Sequence, residues 1–251
     1  DLEPASITHL ITTTCTGFSA PGFDVALVDR LGLSPDVARD MIGFMGCQAA
    51  FNGLRSADAI CRSDPEARVL LVCVELCTLH FQVENSLESA IVNALFSDGA
   101  AAAVLSRNEK TAGGPTSPSR PDPWQYLGGR NRLVPETREA MSWEIGNRGF
   151  DMGLSPRVAD QIGTEIAEFT EELLTDAGLA FEEIDFWAVH PGGPRVLDRV
   201  EEQLGLAEDQ LTESRAVLDR YGNMSSPTIL FILQRCFERA SAETGVALGF
   251  G

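Results

Sequence analysis

Gly43-Phe44-Met45-Gly46-Cys47-Gln48-Ala49-Ala50-Phe51 is the stretch on which the reading of the fold turns. Before it, Val37 to Phe44 is short and largely apolar, as a buried strand would be. After it, Ala49, Ala50, Leu54, Ala57 and Ile60 recur at helical spacing. Cys47 is therefore predicted where a strand ends and a buried helix begins, a place where free backbone N–H groups meet the positive end of the helix dipole. A thiol so placed has its thiolate favoured, and the thiolate is the nucleophile. The simpler reading is a small core residue, because free cysteines are usually buried. The rest of the chain decides between the two.

Outward from this stretch the same unit repeats. Ile7 to Thr14 (ITHLITTT) is β-branched and predicts a strand, with a turn at Cys15-Thr16-Gly17. Pro21-Gly22 opens a helix that Gly32 stops. Asp64-Pro65 breaks the helix after Cys47, and Arg68 to Leu76 (RVLLVCVEL) is a continuous apolar run, the signature of a central parallel strand. Ser86 to Phe96 predicts a helix and Ala100 to Leu105 a buried strand. Alternation of this kind means an α/β fold with crossover connections.

Between Arg107 and Pro123 the composition turns to Gly, Pro, Ser and charge (RNEKTAGGPTSPSRPDP). A boundary belongs there. The predicted division is a first half over residues 1–107, a connecting loop over 108–123 and a second half over 124–251. The second half predicts strand-like segments over Trp124–Leu133 and Ala140–Met152, then a long helix from Ser155-Pro156 to Ala177 ended by Gly178. Ile184 to Val189 predicts a strand that delivers His190-Pro191-Gly192-Gly193-Pro194, followed by a helix over Arg195–Leu204. Tyr221-Gly222-Asn223-Met224-Ser225-Ser226 precedes a last helix from Pro227 to Ala240. Both halves carry strand-to-helix turns with polar tips, where α/β sheets place their chemistry.

The totals narrow the function. The 251 residues are 44% hydrophobic and 22% charged, which is globular rather than disordered, and the length can bury a substantial core. A net charge of −18 argues against a general nucleic-acid or anionic-membrane surface, though not against a local cationic mouth. No apolar run reaches transmembrane length and no basic-then-apolar leader opens the chain, so the expected location is cytoplasmic. The six cysteines sit mostly in apolar segments and predict a reduced, intracellular protein. Cys73 and Cys77, four apart, lack a second Cys/His pair for zinc and read as core.

Of three histidines, His9 lies within the first strand and reads as structural. His190 ends an apolar strand before two glycines flanked by prolines, a turn that lets a ligand approach closely. Asn223 can be a plain N-cap. Together, a Cys at a helix start, a His at a strand end and an Asn at a third turn form a nucleophile, a base and an amide donor. That order admits a papain-like hydrolase or a thioester-condensing enzyme. GCQAA around Cys47 departs from the hydrolase pattern C-G-[SA]-C-[WY].

GFMGCQAA, LFSDGAAA, WAVHPGGP and RYGNMSS, taken together, resemble the chalcone/stilbene synthase superfamily, the type III polyketide synthases. HLITTTCTGFSAPG, VELCTLHFQ and AMSWEIGNRGFDMGLSP resemble bacterial members, above all the alkylresorcinol and alkylpyrone synthases. The resemblance implies a thiolase-like five-layered αβαβα fold of two similar halves. Family chains extend beyond both ends of this one, so the first half is expected to be incomplete at its start. The resemblance implies that Cys47 carries the acyl chain, while His190 and Asn223 hold the thioester carbonyl and assist decarboxylation. Paired charge between Cys47 thiolate and His190 imidazolium is expected to keep the thiol reactive.

Phe96 and Phe150 match the two gatekeeper phenylalanines between the CoA tunnel and the cavity. Glu75, Cys15 and Ser225 match positions near the thiol that take part in cyclisation, although plant enzymes often have threonine at the positions of Cys15 and Cys77. Leu79 and His80 match cavity-wall positions. Strand alternation puts Cys77 and Leu79 on one face, and Leu79 is expected to gauge product length. Acyl-CoA and malonyl-CoA are the implied substrates, with a homodimer and with no metal or redox cofactor. Two alternatives stand beside this reading: a Cys-His-Asn thioester or amide hydrolase, and a catalytically incomplete dimerising fragment.

Overall fold

In the computed structural model, which describes residues 2–83, 86–107, 123–239 and 244–251, the first half runs β1 (His9–Thr14), α1 (Phe23–Leu31), β2 (Ala38–Gly43), α2 (Ala49–Ser63), β3 (Arg68–Leu76), α3 (Leu87–Leu95) and β4 (Asp98–Ser106). The second half runs β5 (Met141–Ile145), β6 (Phe150–Leu154), α4 (Val158–Ala177), β7 (Phe186–Val189), α5 (Pro194–Leu204), α6 (Thr212–Tyr221), α7 (Pro227–Glu238) and β8 (Gly245–Leu248). The first four strands form one sheet in the order β2-β1-β3-β4, with β1 parallel to both neighbours and β4 antiparallel to β3. β7 and β8 form a parallel pair, and β5 and β6 an antiparallel hairpin.

The side chains stack these elements into five layers. Leu27 and Val28 of α1 pack on Leu10 and Val72 from one face of the large sheet. From its other face, Ile11, Val69, Leu71 and Cys73 meet Ala50 and Ala57 of α2 and Ile229 and Ile232 of α7. The β7–β8 pair covers that helix layer with Ala188 and Ala247, while Trp187, Val189, Val246 and Leu248 point the opposite way. There they meet Ile166 and Leu174 of α4 and Val196, Leu197 and Val200 of α5. The alternation in β7 is the two-residue period of a strand buried on both faces. α2 approaches the sheet through small residues: a Cβ on Gly53 would lie 2.4 Å from Leu71 Cδ1.

Several local expectations change. The segment before the nucleophile is a strand but not a buried one; Ala38 to Met41 and Gly43 are exposed. Among the described residues β2 pairs with β1 alone, and its charged Arg39 and Asp40 were the signal for an exposed strand. β4 is buried on one face only, since Ala100, Ala102 and Val104 are exposed while Ala101, Ala103 and Leu105 pack on the core. Trp124 to Leu133 forms no strand. Instead Arg130 and Arg132 fasten that segment to Glu165, Glu172 and Asp176 of α4. The expected connecting loop at 108–123 lies, except for Pro123, outside the described residues. All six cysteines are free thiols. Among the described residues no helix is long and apolar enough to cross a membrane.

Candidate active site

The chain enters the site through a strained turn. Phe44, the residue after β2, has φ 54°, and Gly46 has φ 64°. A single 3₁₀ turn over Gly46–Gln48 then presents Cys47 ahead of α2. Cys47 is 5% exposed and lies on the wall of a cavity of about 830 Å³. β8 brings the chain back beside it: a Cβ on Gly251 would lie 2.9 Å from Cys47 N and 3.0 Å from Gln48 N. Only glycine lets the backbone come so close.

Asn223 follows Gly222, whose φ of 73° turns the chain out of α6. Its backbone is tied to the other half of the molecule. Asn223 N–H donates to Leu95 O at 2.8 Å, and Ser97 N–H donates to Asn223 O at 2.9 Å, so Phe96 and Asn223 form an isolated β-bridge. The side-chain Oδ1 accepts Ser225 N–H at 2.8 Å and lies 4.0 Å from Cys47 Sγ. The carboxamide NH2 is then the part of Asn223 left to donate. Ser225 holds φ 58°, a costly backbone for serine.

His190 ends β7, with its N–H donating to Leu248 O at 2.8 Å. The ring is fully buried, and neither nitrogen has a partner among the described residues. Burial alone pushes the imidazole down to about 4. Burial, with Glu75 adding to it, pushes the Cys47 thiol up to about 11, while the Ser225 side chain pulls the other way. Burial thus favours the uncharged form of both groups and works against the expected thiolate–imidazolium pair. The cost of desolvating the sulfur outweighs the helix dipole at Cys47.

Glu75, on β3, is wholly buried and lies behind the cavity wall. Its carboxyl accepts Cys15 N–H at 2.9 Å, Thr16 Oγ1–H at 2.9 Å, Thr14 Oγ1–H at 3.3 Å and Ser226 Oγ–H at 2.7 Å. Burial still holds its affinity for a proton above the ordinary glutamate value. Cys15 Sγ accepts Gly46 N–H at 3.2 Å, one residue from the nucleophile, and burial pushes its thiol up to about 12. Burial raises the Cys77 thiol too.

The structure brings Cys47, Cys15, Cys77, His80, Phe96, Phe150 and Ser225 onto the cavity wall. His190, Asn223 and Glu75 sit outside that lining. Leu79 does not join them; it is 68% exposed, whereas His80 is in the wall. The expected strand alternation fails because β3 stops at Leu76 and Cys77–His80 forms a 3₁₀ turn. Asp98, twenty residues on, fixes that turn by accepting Thr78 N–H at 2.8 Å and Thr78 Oγ1–H at 2.7 Å. Trp143, Phe44 and Met45 also line the cavity and were not singled out from the sequence. The apolar Phe44-Met45 pair directly before the nucleophile was the available signal for two of them.

His190 predicts a pH effect that stability can read. Its folded affinity for protons is depressed from 6.5 to about 4, so the unfolded chain takes up the extra proton as pH falls. The stability that neutral His190 supports is present above pH 6.5 and is lost between there and pH 4. The loss at the acid end is about 3 kcal/mol. Urea unfolding of the wild type and His190→Gln at pH 7.5, 5.5 and 4.5 should show the wild type falling more steeply. Parallel curves would mean that the ring is not buried neutral.

Comparison with known proteins places residues 3–108 with the family described as chalcone and stilbene synthases, N-terminal domain, and residues 127–251 with the C-terminal domain of the same family. The alpha-pyrone synthesis polyketide synthase-like protein Pks18 of Mycobacterium tuberculosis is 34% identical over 251 residues, covering 98% of this chain and 63% of that protein. The C-terminal type III polyketide synthase domain of Steely1 from Dictyostelium superposes with a TM-score of 0.89 at 30% identity, over 99% of this chain and 68% of that one. The 1,3,6,8-tetrahydroxynaphthalene synthase of Streptomyces coelicolor does so at 0.84 and 30% identity, over 94% and 65%. The chain thus spans about two thirds of the length of the relatives it matches, and the five layers are those of the thiolase-like fold.

Proposed function

Because the chain belongs to the chalcone and stilbene synthase family, the type III polyketide synthases, we propose that it builds polyketides by decarboxylative condensation on Cys47. The observation that supports this most is the seat of Cys47 on the wall of a cavity of about 830 Å³, with the Asn223 carboxamide 4.0 Å from its sulfur. In the first step Cys47 sulfur attacks the carbonyl of an acyl-CoA. The C–S bond to CoA breaks, CoA leaves as the thiol, and the acyl group remains as the Cys47 thioester. Burial favours the uncharged thiol and imidazole, so the thiol gives up its proton to His190 as it attacks, and His190 returns that proton to the departing CoA sulfur.

Malonyl-CoA then loses CO2, and the electron pair of the broken C–C bond becomes an enolate. Asn223 NH2 and the N–H of the neutral His190 imidazole donate hydrogen bonds to the developing oxyanion. The enolate carbon attacks the Cys47 thioester, a C–C bond forms, and the sulfur is released as the leaving group. Repetition lengthens the chain until it cyclises to a pyrone, resorcinol or phloroglucinol-type product. Decarboxylation drives each turn, and the steps call on no metal or redox group. The working unit in this reading is a homodimer, which light scattering on the purified protein would test.

Incubating the protein with an acyl-CoA panel and carbon-13 malonyl-CoA, with mass spectrometry of the products, tests the reading. Labelled two-carbon units in extended products are expected. Release of free acid and CoA without malonyl incorporation would assign a hydrolase instead.

The cavity wall also predicts which residue gauges length. Leu79→Ala removes only an exposed side chain and should leave the product distribution as in the parent. Phe150→Ala removes a ring from the wall and should shift it toward longer products. A shift with Leu79→Ala and none with Phe150→Ala would restore Leu79 as the gauge.

A further inference from the structure

The β5–β6 hairpin forms a two-stranded sheet of its own and joins no other sheet among the described residues. It nevertheless supplies Trp143 and Phe150 to the cavity wall. Side chains attach it: Gln82 donates to Phe150 O and to Asp151, Glu88 accepts Leu154 N–H at 2.6 Å, and His80 makes the contact at Phe150 itself.

The imidazole of His80 bridges two segments. Its Nε2 lies 2.6 Å from Thr16 O, and its Nδ1 lies 3.1 Å from Phe150 N. A carbonyl oxygen can only accept and a backbone N–H can only donate. Nε2 therefore carries the proton and donates to Thr16, while Nδ1 presents its lone pair to Phe150 N–H. The ring also stacks on the Phe150 ring, with centroids 4.3 Å apart and planes 7° from parallel. Trp143 meets it edge-on at 5.4 Å and itself donates from Nε1 to Cys15 O at 2.6 Å. Gly149 makes the approach possible: at φ 139°, a Cβ there would lie 3.2 Å from Nδ1. The 3₁₀ turn pinned by Asp98 fixes where the imidazole starts.

We propose that His80 is a positioning residue: a neutral imidazole, held in a single tautomer, that clasps the β5–β6 hairpin to the Cys15–Thr16 loop and so sets where the Phe150 ring stands in the cavity wall. For product length the proposal rests on the polyketide synthase reading, and for the clasp it does not. A non-polar side chain of similar bulk fills the space but leaves Phe150 N–H and Thr16 O without this partner. Asparagine keeps an acceptor at the Nδ1 place while losing the reach to Thr16 and the ring contacts with Phe150 and Trp143.

Amide hydrogen exchange reads the clasp without any assay of activity. His80→Leu should speed exchange at Phe150 by roughly tenfold, with Ile11 and Leu71 of the large sheet still protected. His80→Asn should keep exchange at Phe150 close to the parental rate. In the unmutated protein, nitrogen spectra of the imidazoles at neutral pH should show a ring with an unprotonated Nδ1 coupled across the hydrogen bond to the Phe150 amide. With acyl-CoA and malonyl-CoA, the product distribution should depart further from the parent in His80→Leu than in His80→Asn.

Parental exchange at Phe150 in His80→Leu, indistinguishable Asn and Leu variants, or a protonated Nδ1 would each overturn the clasp. The ring spectra decide the matter even where His80→Leu does not fold. If the parent makes no polyketide, the functional reading fails while the exchange and ring measurements still judge the clasp.

Discussion

Cys47→Ala is expected to abolish starter loading and product formation together, with a loss on the order of 10⁶-fold, the scale found when a catalytic nucleophile is removed. The prediction is sharp because two other thiols line the same cavity. Cys15 and Cys77 could in principle take the acyl group, yet each faces conditions worse than those at Cys47. Burial pushes Cys15 up to about 12, and its sulfur is already engaged by Gly46 N–H at 3.2 Å. Cys77 is raised by burial, and Glu75 adds to the effect. Cys47 at about 11 is the least raised of the three and receives help from the Ser225 side chain. Iodoacetamide should accordingly label Cys47 before Cys15 or Cys77, followed by peptide mass mapping. Acyl transfer to Cys15 or Cys77 in Cys47→Ala, or faster labelling of either, would move the nucleophile.

The second large effect separates two steps. Asn223→Ala should slow malonyl-CoA decarboxylation by a factor on the order of 10²–10³, the usual cost of one oxyanion donor. Loading of the starter onto Cys47 should suffer much less, because the attack on acyl-CoA relies first on the sulfur and a base. The bridge to Phe96 uses only main-chain atoms of residue 223, so the substitution leaves it in place. The side chain also accepts Ser225 N–H, and losing that bond perturbs a residue held at φ 58°. Circular dichroism and the mass of the acylated protein control for this. Equal loss of loading and decarboxylation in a folded variant would remove Asn223 from the role.

How far the sequence carries the structure can be judged from particular residues. Helix ends were legible where glycine is required, as at Gly32 and Gly178, each with φ 68°. The turn bearing Cys47 and the strand end bearing His190 followed from apolar runs meeting polar tips. The four-residue β8 was not legible; it gains its identity only by pairing with β7. α6 was missed too, since its charged, mixed pattern gives a weak apolar stripe. Exposure of β2 was legible in its adjacent charges Arg39 and Asp40, which the apolar residues around them outweighed in the reading. The place of Leu79 depended on Asp98 twenty residues away, and the acidity of Cys47 on a desolvated setting that includes Glu75. Local pattern gave the elements and most of their chemistry. Long-range contacts decided which side chains face the cavity and what charge they carry.

The β-bridge between Phe96 and Asn223 has a bearing on how this cavity could be redesigned. Asn223 donates its N–H to Leu95 O and accepts Ser97 N–H, the residues on either side of Phe96, so bulk changes at 96 that shift its backbone are transmitted to the carboxamide beside the sulfur. Substitutions at the two positions should be non-additive, and variants selected at 96 for longer products would inherit slower turnover. Phe150 stands on a separate hairpin with no such shared backbone. Size selectivity and catalytic speed are therefore coupled more directly at position 96 than at position 150, which makes position 150 the more evolvable of the two.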